Sequence, residues 1–161
     1  MFEINVSVLD DGKPRASVLE IPSKTGDALS YEDKYMRDGG KKKGQRKRTA
    51  SEGMASLVRD IDPKGLSKEI KEKVTAYAIK SFEVLNCSGV VRFDFMHDNT
   101  TGNIYFNELN PQPGSLSFYL WVKSHPPLLY TEEMNKVILA AEKRRQEKAS
   151  RERELGFKAL K

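Results

Sequence analysis

Gly89-Val90-Val91-Arg92-Phe93-Asp94-Phe95-Met96, followed by Asp98-Asn99-Thr100-Thr101-Gly102 and Asn103-Ile104-Tyr105-Phe106-Asn107-Glu108-Leu109-Asn110, is the stretch from which the fold is read. Residues 90–96 alternate at period two, which makes them a strand. Val91, Phe93 and Phe95 take one face; Val90, Arg92, Asp94 and Met96 take the other. The polar run 98–102, closed by Gly102, is a hairpin turn, and 103–109 returns. On that second strand the same period puts Ile104, Phe106, Glu108 and Asn110 on one face. If Asp94 pairs near Glu108, four polar groups gather on one patch of an otherwise apolar ribbon. Two carboxylates and an amide oxygen are hard oxygen donors, the set magnesium prefers when substrate phosphates complete its shell. Arg92 beside them stands where a transferring phosphoryl group accumulates negative charge. The bland reading makes Asp94 and Glu108 solvent-facing residues of an amphipathic hairpin. The loop Asn110-Pro111-Gln112-Pro113-Gly114 speaks against it, because two prolines and a glycine form a stiff turn able to offer backbone N–H groups to an anion.

Working outward, residues 2–9 alternate Phe2, Ile4, Val6 and Val8 against Glu3, Asn5 and Ser7, the pattern of a half-buried strand. Asp10-Asp11-Gly12 signals a turn, and 15–21 reads as the returning strand. From Pro22 to about Gly65 the periodicity collapses, and a connection that long is usually functional or disordered. Ser67 is placed to cap a helix whose apolar face is Ile70, Val74, Tyr77, Ala78, Ser81, Phe82 and Leu85, ending near Asn86. A last helix starts near Thr131, with Glu132 and Glu133 suited to its first turn and Met134, Val137, Ile138 and Ala141 as its buried stripe. Beyond Glu142 that stripe dissolves into charge. The reading is therefore α+β: an antiparallel sheet carrying the polar patch, flanked by helices.

The totals set the class. A chain of 161 residues, 38% hydrophobic and 32% charged, is one domain or one lobe of a larger one. No apolar run approaches the ~18 residues a membrane span needs, and Met1-Phe2-Glu3-Ile4 lacks the basic and apolar regions of a signal peptide, so the expectation is a cytoplasmic protein with no membrane partner. With Cys87 as the sole cysteine, and His97 and His125 as the only histidines, neither an internal disulfide nor a structural zinc site is expected. Cys87 reads as core filler. The net charge of +5 is concentrated in Lys41-Lys42-Lys43-Gly44-Gln45-Arg46-Lys47-Arg48. That run has no interleaved aromatics to stack bases, so nucleic acid is not the expected partner.

Gly89-Val90-Val91-Arg92-Phe93-Asp94-Phe95 and Asn107-Glu108-Leu109-Asn110-Pro111-Gln112-Pro113-Gly114 together resemble the signature of the D-alanine–D-alanine ligases, members of the ATP-grasp superfamily. Tyr31-Glu32-Asp33-Lys34-Tyr35 is similar to a family segment that leads into a mobile loop over the active site. The resemblance covers roughly residues 2–142. It implies the C-terminal lobe of an ATP-grasp domain over 1–142, with a mobile basic loop at about 36–60; beyond it, the charge-rich residues 143–161 read as a helical tail. It implies ATP and Mg2+ as cofactors, with Asp94, Glu108 and Asn110 as metal ligands. Arg92 and the backbone of Gly114 would contact the transferred phosphate and the tetrahedral intermediate. Lys34 would approach the phosphates, Tyr35 would hold the closed loop, and Glu3 would lie on the nucleotide side. The implied enzyme forms an acyl phosphate and then an amide from an amino acid or short peptide carboxylate and an amine, in peptidoglycan and cell-wall biosynthesis.

Two departures from the pattern follow. Where the family usually has a serine that binds the second substrate's carboxylate, this chain has Phe118-Tyr119, so Tyr119, with Gly114, becomes the candidate substrate contact. The family's N-terminal substrate domain and the phosphate-contacting lysines of the other lobe have no counterpart, so a separate N-terminal lobe or a homo-oligomer is the expected partner. An apolar patch should then be exposed where that lobe docks. The alternative from another class is a non-catalytic nucleotide- or nucleic-acid-binding module derived from the lobe, motivated by the basic run.

Overall fold

A computed structural model describes residues 1–10, 12–22 and 59–156, the side chains of 152–156 excepted. Its elements, in chain order, are β1 (Phe2–Asp10), β2 (Pro14–Pro22), β3 (Arg59–Ile61), α1 (Lys68–Val84), β4 (Val90–His97), β5 (Ile104–Asn110), a 3-10 turn (Gly114–Ser117), α2 (Phe118–Trp121) and α3 (Tyr130–Gly156). The strands form one antiparallel sheet in the order β3-β2-β1-β4-β5. Both hairpins arise from their turn chemistry. Gly12 at φ 77° donates its N–H to Asp10 Oδ1 at 3.2 Å, and Gly102 at φ 73° donates to the Asp98 carbonyl at 2.8 Å.

Each face of the sheet has its own cover. Ile4, Val6, Val8, Val91, Phe93 and Phe95 meet Val74, Ala78 and Phe82 of α1. That helix begins where its cap is expected, with Ser67 Oγ accepting from Ile70 N at 3.3 Å. On the opposite face, Leu9 and Val90 pack with Trp121 and Leu128, joined by Leu116 and Val137. Strand β1 is the central strand, and residues 4–9 are buried throughout. The half-buried expectation for 2–9 is corrected here: Asn5 and Ser7 alternate correctly, but their face lies under α2 and the loop before it.

Other expectations are corrected in the same way. Tyr77 and Leu85 of the α1 region are about half exposed, so its buried line is the narrower set Val74, Ala78 and Phe82. In α3 the stripe is rotated: Glu133, Val137 and Ala140 face inward, while Ile138, Leu139 and Ala141 face out. Strand β3 falls in the stretch without periodicity, because three residues on a sheet edge carry too little alternation to register. Helix α3 runs to Gly156 without interruption at 142. Lys34, Tyr35 and the basic run 41–48 lie outside the described residues.

Candidate functional site

One row of directly paired residues crosses four strands: Glu20 opposite Asn5, Asn5 opposite Asp94, and Asp94 opposite Glu108. A second row beside it runs Ser7, Arg92, Asn110. The predicted set Arg92, Asp94, Glu108 and Asn110 is thus brought together, and Glu3 lies on the same face two positions before Asn5, half-buried and opposite Met96.

Two β-bulges aim these rows. On β5, Asp94 pairs with Glu108 but Phe95 pairs with Phe106, leaving Asn107 as the extra residue. Phe106 therefore turns to the other face, edge-on to Phe93 and Phe95 at 6.2 and 5.8 Å between centroids. The expectation that Ile104 and Phe106 share a face with Glu108 is corrected by that insertion. On β2, Val6 pairs with Leu19 but Val8 with Ala16, so Ser17 and Val18 face the single residue Ser7. The backbone groups this disturbs find side-chain partners. Ser7 N donates to Ser17 Oγ at 3.0 Å, and Val18 N donates to Ser124 Oγ at 3.0 Å. Beyond the bulge Glu20 shares the site face with Arg15, five residues away, against simple alternation.

The polar groups are tightly engaged. Arg92 Nε and Nη2 donate to the two oxygens of Asp94, each at 2.7 Å, and Asn110 Nδ2 adds a bond to Asp94 Oδ2 at 3.0 Å. Asp94 is 1% exposed, so this fork fixes both its rotamer and that of Arg92. Burial works against the Arg92 charge, but hydrogen bonding and attraction from Asp94, with smaller pulls from Tyr119 and Glu20, more than offset it and hold the guanidinium above its ordinary pKa. Arg92 stays charged at any working pH.

A second knot lies at the β2–β3 end. Glu20, also 1% exposed, accepts from Asn5 Nδ2 at 3.2 Å, Tyr119 OH at 3.0 Å and Arg59 Nη1 at 3.3 Å. Arg59 also donates to Tyr119 OH and stacks over its ring, 4.7 Å from the centroid. The Tyr119 phenol is pushed up to about 12, first by burial and then by the Glu20 charge, with Arg59 and Arg92 pulling the other way. Its hydroxyl is engaged by Glu20 and Arg59. Sequence reasoning missed Asn5, Glu20 and Arg59; the signal for Glu20 was hidden by the bulge, and Arg59 stood in a stretch without periodicity.

Gly114 opens the turn that joins the two knots. Ser115, Leu116 and Ser117 follow it at φ 50°, 54° and 59°, three successive left-handed non-glycine residues. Each costs roughly 1–2 kcal/mol, so the surrounding fold holds this turn against its own preference, a trait that concentrates at functional sites. Ser117 is wholly buried, and among the described residues its hydroxyl has no hydrogen-bond partner.

As a cation site, this face offers Asp94, Glu108 and the Asn110 amide. Among the described residues no group of three His, Cys, Asp or Glu is arranged to hold a metal by itself. Two carboxylates plus an amide oxygen nevertheless suit magnesium, which keeps water and phosphate oxygens in its shell rather than requiring an all-protein cage. The chemistry of the donor set fits, and Glu108, on the exposed edge strand, is open to solvent.

Residues 1–138 match the family model described as D-ala D-ala ligase C-terminus. A D-alanine–D-alanine ligase of Ruminiclostridium cellulolyticum is 36% identical over 140 residues, 84% of this chain and 32% of its own length. Another, from Thermosipho melanesiensis, is 34% identical over 122 residues, 76% of this chain and 29% of its own. Among solved structures, the D-alanine–D-alanine ligase from Coxiella burnetii gives a TM-score of 0.69 at 21% identity, covering 99% of this chain and 37% of that one. The Bacillus anthracis enzyme complexed with ATP gives 0.56 at 19% identity, covering 91% and 38%. These structural likenesses speak to fold alone. The chain spans about a third of the length of the curated relatives it matches.

Proposed function

The chain belongs to the D-alanine–D-alanine ligase family, whose C-terminal region it matches, and from that premise we propose that it is the phosphate- and metal-handling lobe of an ATP- and magnesium-dependent ligase joining a carboxylate to an amine. The observation that carries this reading is the paired row Asp94–Glu108 with Arg92 and Asn110 beside it. Residues 1–142 form the partial ATP-grasp lobe and 143–161 its charged tail. The substrates are an amino acid or short peptide carboxylate and an amine. A further lobe or a second subunit completes the site, and the cytoplasm is the working compartment.

The reaction has two steps. A carboxylate oxygen attacks the γ-phosphorus of ATP, giving an acyl phosphate and releasing ADP. The amine nitrogen then attacks the acyl carbon, the C–N bond forms, and the carbon–oxygen bond to phosphate breaks. Arg92, held by Asp94 and permanently charged, stabilises the negative charge that develops on the phosphoryl oxygens. Asp94, Glu108 and Asn110 would hold magnesium, which when bound neutralises and orients the phosphates. The Gly114 backbone borders the same region, Glu3 lies on the nucleotide side, Lys34 and Tyr35 take their proposed roles toward the phosphates from the resemblance of their segment to the family's, and Tyr119 borders the second substrate.

Calorimetric titration with ATP, with and without magnesium, tests the reading. Glu108→Gln is the cleaner variant because Glu108 is exposed and its loss leaves no buried charge unpaired. The expected result is magnesium-dependent ATP binding in the parent chain, weakened at least about tenfold by removal of one charge-bearing ligand. Magnesium-independent binding, or equal affinity in Glu108→Gln, would sink the proposal.

A further inference from the structure

Strand spacing separates the two guanidinium groups of the site face. Arg92 stands on β4 and Arg59 on β3, with β1 and β2 between them, so their backbones are roughly 14 Å apart across the sheet at about 4.8 Å per strand, and offset along it by about four residues, since Arg59 is level with Glu3 and Arg92 with Ser7. Arg92 belongs to the end that carries Asp94, Glu108 and Asn110, where phosphate chemistry is placed. Arg59 belongs to the other end, beyond Tyr119, and its side chain is 14% exposed.

The use made of Arg59 is unequal around its fork. Among the described residues only Nη1 is engaged, by Glu20 and Tyr119. Among the described residues the remaining guanidinium edge has no partner. Its orientation is nonetheless fixed on three sides: by the Glu20 carboxylate, by the Tyr119 hydroxyl, and by the Tyr119 ring beneath it. Glu20 is fixed in turn by Asn5. Burying such a pair is poor value for stability, since apolar residues of similar volume usually hold a fold equally well. A guanidinium locked by one nitrogen, with its other edge free, is instead preorganised to receive a planar two-oxygen anion.

We propose that Arg59 is a specificity-determining residue that binds the α-carboxylate of the amine-bearing substrate through its free edge, with Glu20 and Tyr119 as the positioning residues that aim it. The inference rests on the ligase reading and adds the recognition of the second substrate to it. Arg59 supplies the fork, Glu20 and Tyr119 hold it, and the incoming amine is thereby oriented toward the Arg92 end. An amine without a neighbouring carboxylate leaves the fork unmatched.

The test is titration of the full chain, in the presence of magnesium and ATP, with D-alanine and with D-alaninamide, which keeps the amine and lacks the carboxylate. The parent chain should prefer D-alanine by at least about tenfold, the worth of a charge-assisted hydrogen bond. Arg59→Lys keeps a cation against Glu20 but loses the fork, so it should erase the preference while leaving the affinity for magnesium–ATP unchanged. Tyr119→Phe and Glu20→Gln should reduce the preference and also leave nucleotide affinity unchanged, a split that a merely structural role would not produce. An Arg59→Lys chain that discriminates like the parent overturns the proposal, as does a parent chain with no carboxylate preference. Weaker magnesium–ATP binding in Arg59→Lys with the preference intact overturns it too, by assigning Arg59 to the nucleotide phosphates. Loss of magnesium-dependent ATP binding in the parent marks failure of the ligase reading; intact ATP binding without discrimination marks failure of this inference only.

Discussion

Glu133 has no exposed surface, and among the described residues neither of its carboxylate oxygens meets a hydrogen-bond donor. It sits in the first turn of α3, where the helix dipole favours an acid, yet burial pushes its pKa from 4.5 up to about 7. Below pH 4.5 the group is protonated in both folded and unfolded chains and costs nothing on this account. Between 4.5 and 7 the unfolded chain ionises first, so stability falls as pH rises; above 7 the loss is complete. Glu133→Gln should therefore raise stability at pH 8 by about 3 kcal/mol and leave it nearly unchanged near pH 4. Urea denaturation at the two pH values checks this, and an equal effect at both would show that ionisation of Glu133 is not the cause. The contrast with Asp94 is instructive. Both carboxylates are buried, but Asp94 accepts three hydrogen bonds, two of them from a permanent cation, whereas Glu133 accepts none.

Among the elements, the bulge in β2 has the largest consequence, since it turns Glu20 onto the site face. Ser124 holds it from a distance of 106 residues in sequence: its Oγ accepts from Val18 N at 3.0 Å and donates to the Leu120 carbonyl at 2.8 Å. Ser124→Ala leaves the Val18 N–H without its partner in the fold and should cost about 1–3 kcal/mol. Thermal denaturation measures the cost, and faster hydrogen exchange at Val18 localises it. A change within experimental error would mean that water replaces the hydroxyl. The same element shows what the sequence could reveal. The β4–β5 hairpin and the α1 cap were legible because alternation and capping are local signals, and with them came Arg92, Asp94, Glu108 and Asn110. Asn107 and the Ser17–Val18 bulge were not legible, because an inserted residue breaks period two without any compositional mark. Phe106 was therefore assigned to the wrong face, and Glu20 to no site at all. Arg59 was lost for a different reason: a three-residue edge strand is specified by its neighbour β2, not by its own pattern.

At the scale of the whole molecule, the sheet ends on β5, whose outer edge is unpaired among the described strands and carries Tyr105 and Phe106 at 46% and 50% exposure. Tyr77, Val84 and Leu85 in the α1 region, Phe118 on α2, and Tyr130, Ile138 and Leu139 on α3 are also exposed, so apolar surface is spread over four elements. An open edge bearing aromatics is a template for strand addition, and natural edges are commonly blunted by lysine. Here no lysine lies between Ile104 and Asn110; the strand's one charge is Glu108, which the site uses. The net charge of +5 opposes association of identical chains, and salt screens that repulsion. Self-association of the chain should therefore increase with ionic strength as well as with concentration, the reverse of what ion-pair contacts would give. Tyr105→Lys places a cation on the edge without disturbing Phe106, which packs on Phe93 and Phe95 from the other face, and it should restore the monomer at high salt. Sedimentation velocity at low and high salt decides the matter. A chain that is monomeric throughout would overturn the prediction, and a Tyr105→Lys variant that associates like the parent would place the sticky surface on the helices rather than on the β5 edge.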